Sequence, residues 1–121
     1  MKEFNDIEIR AARSSLQILI ENFIGKAKRI LKFYDCPIVP KRATDAIYFL
    51  YEVGYFSDEE YGKFIKIIGF RNAMIHDYME FDDDILIDVV KNRKYMVVYD
   101  FLIDDVKMDD VIIKRIKNFE I

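Results

Sequence analysis

Leu16-Gln17-Ile18-Leu19-Ile20-Glu21-Asn22-Phe23-Ile24-Gly25-Lys26-Ala27-Lys28-Arg29-Ile30-Leu31 is the stretch that decides the fold. Leu16, Leu19, Ile20, Phe23, Ile24, Ala27, Ile30 and Leu31, continued by Tyr34, recur at steps of three and four. That period belongs to an α-helix with one buried stripe. Outward from this core the helix extends from about Asp6 to about Phe33. Asn5 can cap it, and Glu8 three residues later completes a capping-box pattern. Lys26, Lys28, Arg29 and Lys32 crowd the last turns, where cations complement the helix dipole. The sharper alternative is a patch that steers phosphates.

Pro37 and Pro40 make residues 35–40 a connector. A second helix is expected over about Lys41 to Val53, with Ala43, Ile47 and Leu50 inward and Gly54 as its stop. Ser57 and Glu60 form a second capping box, and Asp58 and Glu59 suit a helical first turn. The third helix then runs from about Asp58 towards His76, with Tyr61, Phe64, Ile65, Ile68 and Ile75 as its apolar positions. Asp82, Asp83 and Asp84 open a fourth helix. Ile85, Val89, Met96 and Leu102 make it long, with a bend near Asn92. The aspartates lack the spacing of a calcium loop, so they read as helix-start electrostatics and no metal is expected. Residues 109–121 can form a short helix or a strand. The expected architecture is all-α: one domain over residues 1–121, an up-and-down bundle of four to five helices, with residues 107–121 unassigned.

Composition narrows the classes of function. At 121 residues the chain matches the length of one domain and can bury a core. An apolar share of 52% argues against disorder, and four Gly with two Pro leave too few turns for a β-sandwich. Cys36 is the single cysteine, so no intrachain disulfide forms, which fits a reducing cytoplasm. There is no cationic-then-apolar leader and no run of roughly 18 apolar residues, so neither secretion nor a membrane span is expected. The formal net charge of −3 argues against wholesale coating of a nucleic acid, though a local basic patch can still reach one.

Chemistry concentrates in Gly69-Phe70-Arg71-Asn72-Ala73-Met74-Ile75-His76-Asp77-Tyr78, which holds the only histidine. Imidazole, with an unperturbed pKa of about 6.5, can take or give a proton near neutrality. Arginine stays charged, and its fork of donors can hold the charge that builds on a phosphate. At about 100° per residue, Arg71 and Tyr78 lie about 20° apart, Asn72 and His76 about 40°, and Arg71 and His76 about 140°. A straight helix therefore does not bring Arg71 and His76 together. Either the helix ends or distorts inside the motif, or another chain completes the site. One histidine cannot be both acid and base in a cycle without a partner, which favours a homodimer with a shared cleft. Lys63, Lys66, Arg71, Lys26 and Arg29 would have to cluster there to hold a nucleic acid. The bland alternative is that Arg71 and His76 simply favour a helix C-terminus, and that Tyr78 is a packed aromatic.

Arg71-Asn72 followed by His76-Asp77-Tyr78 resembles the R-polar-x-x-x-H-x-Y motif of the HEPN superfamily, most closely the HepT-like toxins of HEPN/MNT toxin–antitoxin pairs. The resemblance begins in the first helix, passes Gly54-Tyr55-Phe56 and Gly69-Phe70-Arg71-Asn72, and continues to about Val106. It implies a metal-independent endoribonuclease acting as a homodimer in a type II or type VII-like toxin–antitoxin pair. Arg71 and His76 would be the catalytic pair and Asn72 a supporting polar residue. Attack by the 2′-OH would leave a cyclic phosphate on the RNA. It also implies an MNT-type nucleotidyltransferase as antitoxin, able to transfer AMP from ATP to Tyr78. Bulk and negative charge would then sit where an RNA phosphate must bind. No cofactor is implied. The alternative function is a non-catalytic helical module that binds a nucleotidyltransferase or a nucleotide.

Overall fold

A computed structural model describes residues 4–77 and 79–121. Its described residues form six helices and no strand, in the order α1 (Asp6–Phe33), α2 (Ala43–Glu52), α3 (Asp58–His76), α4 (Asp83–Lys91), α5 (Met96–Ile103) and α6 (Asp110–Lys117). The all-α helical bundle is as expected from the sequence, with more helices than the four or five anticipated.

Local chemistry explains where the first and third helices begin. Asn5 accepts from the Glu8 backbone N–H at 2.8 Å while Glu8 reaches back to the Asn5 N–H at 3.2 Å. Ser57 and Glu60 make the same reciprocal pair at 3.1 and 2.9 Å. Each pair satisfies donors that a helix start would otherwise leave unpaired. Gly54 terminates α2 with φ +89°, a conformation that a side chain disfavours.

α1 is the post of the bundle and packs against α2, α3, α4 and α5. Leu16, Ile20, Phe23, Ile24, Ala27, Ile30 and Leu31 are all buried, so its periodic stripe faces the core as expected. Phe23 and Phe64 lie 4.8 Å apart, Phe56 and Phe64 also 4.8 Å, and Phe101 closes the cluster at 5.3 Å from Phe23. Such tilted and edge-on pairs add to the burial of their area. Lys26 Nζ crosses from α1 and donates to the carbonyls of Phe101, Leu102 and Asp104, at 2.6, 3.2 and 2.7 Å. It satisfies acceptors that the end of α5 leaves open.

Three expectations change. The fourth helix is two, with a break over residues 92–95. Val89 and Val98 are both buried, yet nine residues apart they would face opposite sides of one continuous helix. The break lets both reach the core. Arg93 pays for it with φ +51°, a left-handed conformation costing about 1–2 kcal/mol, stabilised by the Lys94 N–H donating to the Val89 carbonyl at 3.0 Å. Ile85, expected inward, is 49% exposed, and Leu86 takes its place. On α3, Ile67 and Met74 join the buried face while Ile75 lies at its edge. The tail is helical: Asp109 caps α6, Ile116 is buried, and Phe119 packs 4.4 Å from Phe49.

Phe23→Ala should cost about 3–5 kcal/mol, because it removes a buried ring from the centre of the aromatic cluster; chemical denaturation followed by circular dichroism measures it. Asp88, which accepts from Lys94 and Asn92 across the α4–α5 corner, has its carboxyl held below the usual range, mainly by the Lys94 hydrogen bond. The lowered folded pKa means its stabilisation is complete above the unfolded value of 3.8 and is lost as pH falls through the folded one. Asp88→Asn should therefore remove part of the acid dependence of the melting temperature and leave the neutral-to-alkaline range unchanged in slope.

Candidate functional site

α3 runs unbroken through Arg71 and His76 and ends at Asp77, whose N–H donates to the Ala73 carbonyl at 2.9 Å. The helix is continuous through the motif, so Arg71 and His76 keep their separation of about 140° round the axis. Their surroundings differ accordingly. Ile68 and Met74 flank Arg71 by about 60° on either side, and both are buried. A cation thus occupies the middle of the apolar face that α3 turns to the core. His76, in the last turn, is exposed.

A cation in that place needs partners. Arg71 Nη2 donates to Glu21 Oε1 on α1 at 3.2 Å, and Nη1 donates to Asn72 Oδ1 at 3.1 Å. Gln17 Nε2 donates to the same Glu21 oxygen at 3.3 Å. Arg71 Nε is buried and has no hydrogen-bond partner among the described residues. The guanidinium is therefore held in place with part of its donor fork unused. Asn72, the next residue along α3, is thus one of the two acceptors of Arg71. Glu21 is the participant that the sequence reading missed. It looks like one more surface acid of α1, and only the packing of α1 on α3 brings it to a residue fifty positions away.

The histidine shares its flank with two glycines. Gly62, Gly69 and His76 follow one another at intervals of seven residues, which drifts only about 20° per step. A Cβ added to either glycine would meet nothing within 4 Å, so nothing among the described residues requires glycine there. This seven-residue rhythm was open to sequence inspection.

The cations that would have to cluster to hold a nucleic acid lie apart within the single chain. Lys26 is engaged at the end of α5, and the Arg29 guanidinium folds back to within 3.2 Å of where a Cβ on Gly25 would be. Lys63 and Lys66 line a separate groove with α4 and α5. The physical reason is that these cations sit on different faces of α1 and α3, and only Arg71 faces across the contact. Tyr78 lies outside the described residues. Among the described residues no group of three or more His, Cys, Asp or Glu is placed to hold a metal ion, and no helix is long and apolar enough to cross a membrane.

A family model described as ribonuclease HepT-like matches residues 2–120. No curated protein and no solved structure matches the chain.

The Arg71–Glu21 contact joins side chains 23% and 43% exposed, and ion pairs open to solvent contribute little. Glu21→Gln should shift unfolding stability by less than about 1 kcal/mol, read by chemical denaturation. A loss several times larger would mean that Glu21 is needed to keep the guanidinium inside the fold.

Proposed function

The chain belongs to the ribonuclease HepT-like family of the HEPN superfamily, and on that footing we propose that it is a metal-independent endoribonuclease working as a homodimer, the toxin of a toxin–antitoxin pair. The observation that carries this reading is the unbroken α3, which turns Arg71 inward to Glu21 and leaves His76 outside beside Gly62 and Gly69.

A glycine inside a helix costs about 0.5–1 kcal/mol relative to alanine. Two of them under open space support a second surface that approaches the α3 backbone closely. Ile18, three residues before Glu21, and Ile75, four after Arg71, stay 55% and 36% exposed, so apolar side chains also remain uncovered on the Arg71 and Glu21 sides of their helices. A second copy of the chain, related by a two-fold axis along this face, places two imidazoles at one cleft. One imidazole takes the proton of the ribose 2′-OH. The 2′-oxygen then bonds to phosphorus, and the bond to the 5′-oxygen breaks. The partner's imidazolium protonates the departing 5′-oxygen, leaving a 2′,3′-cyclic phosphate and a free 5′-OH. In this scheme Arg71 stabilises the phosphate charge through the Nη hydrogens that Glu21 and Asn72 leave unused, its Nε being buried. Arg71 and His76 are the catalytic residues of this scheme and Asn72 the support.

The antitoxin in this proposal is an MNT-type nucleotidyltransferase acting in the cytoplasm. It attaches AMP from ATP to the Tyr78 hydroxyl and releases pyrophosphate. The added phosphate repels RNA from the cleft. A second reading has one specific observation in its favour. Glu21 already neutralises Arg71, as suits a non-catalytic module that binds a nucleotidyltransferase or a nucleotide.

Purified protein should cleave RNA in the presence of a chelator, and His76→Ala should lower the rate by at least about 10²–10⁴-fold with an unchanged helical spectrum. Undiminished cleavage by that variant rejects the scheme. Gly69→Arg should give a folded monomer in sedimentation equilibrium without nuclease activity, and an active monomer would rule out the shared cleft. Incubation with the nucleotidyltransferase and ATP should add the mass of AMP to the wild-type chain and not to Tyr78→Phe.

A further inference from the structure

On a different flank of α3, that helix encloses with α4 and α5 an open groove of about 710 Å³. Its floor is apolar and includes Ile67, Phe70, Val89 and Val97. Its rim carries Lys63, Lys66, Arg93 and Lys94, set against the carboxylates of Asp88 and Asp100. Lys63 is paired with Glu59 at 3.0 Å, and Lys94 with Asp88. Lys66 and Arg93 have no ion pair among the described residues. In a chain of net charge −3, this is a local excess of positive charge over an apolar bed.

Arg93 adds an independent point. It follows the C-cap of α4 in the left-handed conformation, with φ +51°. Glycine is the usual residue there, because it alone carries no steric penalty. The backbone strain is thus borne at a position that brings a guanidinium to the groove. Lys66 lies ten residues before His76, about 15 Å along the α3 axis and about 80° round it. A short run of nucleotides can span that separation.

We propose that this groove binds the single-stranded RNA that flanks the scissile linkage. Lys66 and Arg93 hold phosphates, and a base lies on the apolar floor beside Phe70. Phosphates on cations and bases on an apolar bed are how a single strand is bound without sequence readout. An acidic peptide would use the cations alone. Its claim is weaker because the groove shares α3 with His76. The proposal rests on the ribonuclease reading above.

The test uses the full chain and a fluorescein-labelled oligouridylate of about 20 nucleotides, long enough for groove and cleft together. Binding is read by anisotropy in a His76→Ala background, which blocks cleavage. Adding Lys66→Gln and Arg93→Gly should weaken binding about tenfold near 0.1 M salt and make the log–log salt slope shallower by about 1.4, roughly 0.7 per lost phosphate contact. With His76 intact, the double variant should raise KM for the oligomer about tenfold, leaving kcat and the cleavage rate of a dinucleotide unchanged. Arg93→Gly relieves a left-handed residue, so its melting temperature should hold or rise, separating lost binding from lost folding. Unaltered affinity and slope in the double variant, while the wild type binds and cuts the oligomer, overturn the groove and leave the nuclease standing. Displacement of the oligomer by poly-glutamate at equal charge concentration would also overturn it, in favour of an acidic partner. A wild-type chain that neither binds nor cuts RNA refutes both readings at once.

Discussion

Arg71 and His76 are five residues apart on a helix that does not break, and the helical repeat holds them about 140° apart. Most of the arrangement around them follows from that constraint. Residues so separated on one helix meet different surroundings. Arg71 takes the inward place, between Ile68 and Met74, where a bare cation would be costly. Glu21 and Asn72 accept from its guanidinium there, in contacts partly open to solvent. His76 is left on the outside, and a copy of the same residue from another chain is the economical source of a second imidazole. The homodimer belongs to the proposed scheme, in which one histidine per chain calls for a second.

α3 is capped at both ends and packed from behind. The Ser57–Glu60 capping box fixes where α3 starts, and Asp77 closes it. Behind it stands α1, whose apolar stripe meets Phe64 and, with Phe56 and Phe101, forms the aromatic centre. α1 also supplies Glu21. Core and candidate site are therefore built on the same pair of helices. A change that rotates α1 against α3 would disturb packing and the Arg71 contact together.

The gains and failures of sequence reading follow a pattern. Capping at Asn5 and Ser57 and the stripe of α1 were legible because they depend on residues three or four apart. The division of α4 from α5 was legible only as a bend near Asn92, since the phase conflict between Val89 and Val98 becomes a full break only when both must meet one core. The tail was ambiguous because a short apolar run suits a helix or a strand until Phe49 is there for Phe119 to pack on. How Lys26, Arg29, Lys63 and Lys66 lie relative to Arg71 was hidden for a related reason. Positive charge was visible in the sequence, but its direction was not.

By itself the sequence determined that the protein is helical, where α1 and α3 begin, that it carries one histidine, and that Arg71 and His76 cannot converge on a straight helix. These follow from composition and from a fixed rotation per residue, which no distant contact can alter. Only the tertiary structure decided that α3 is continuous through the motif, that Glu21 is the partner of Arg71, and that Lys66 and Arg93 meet across a groove. Those outcomes depend on how helices rotate and cross to bury their apolar faces, and residues far apart in the chain settle that jointly.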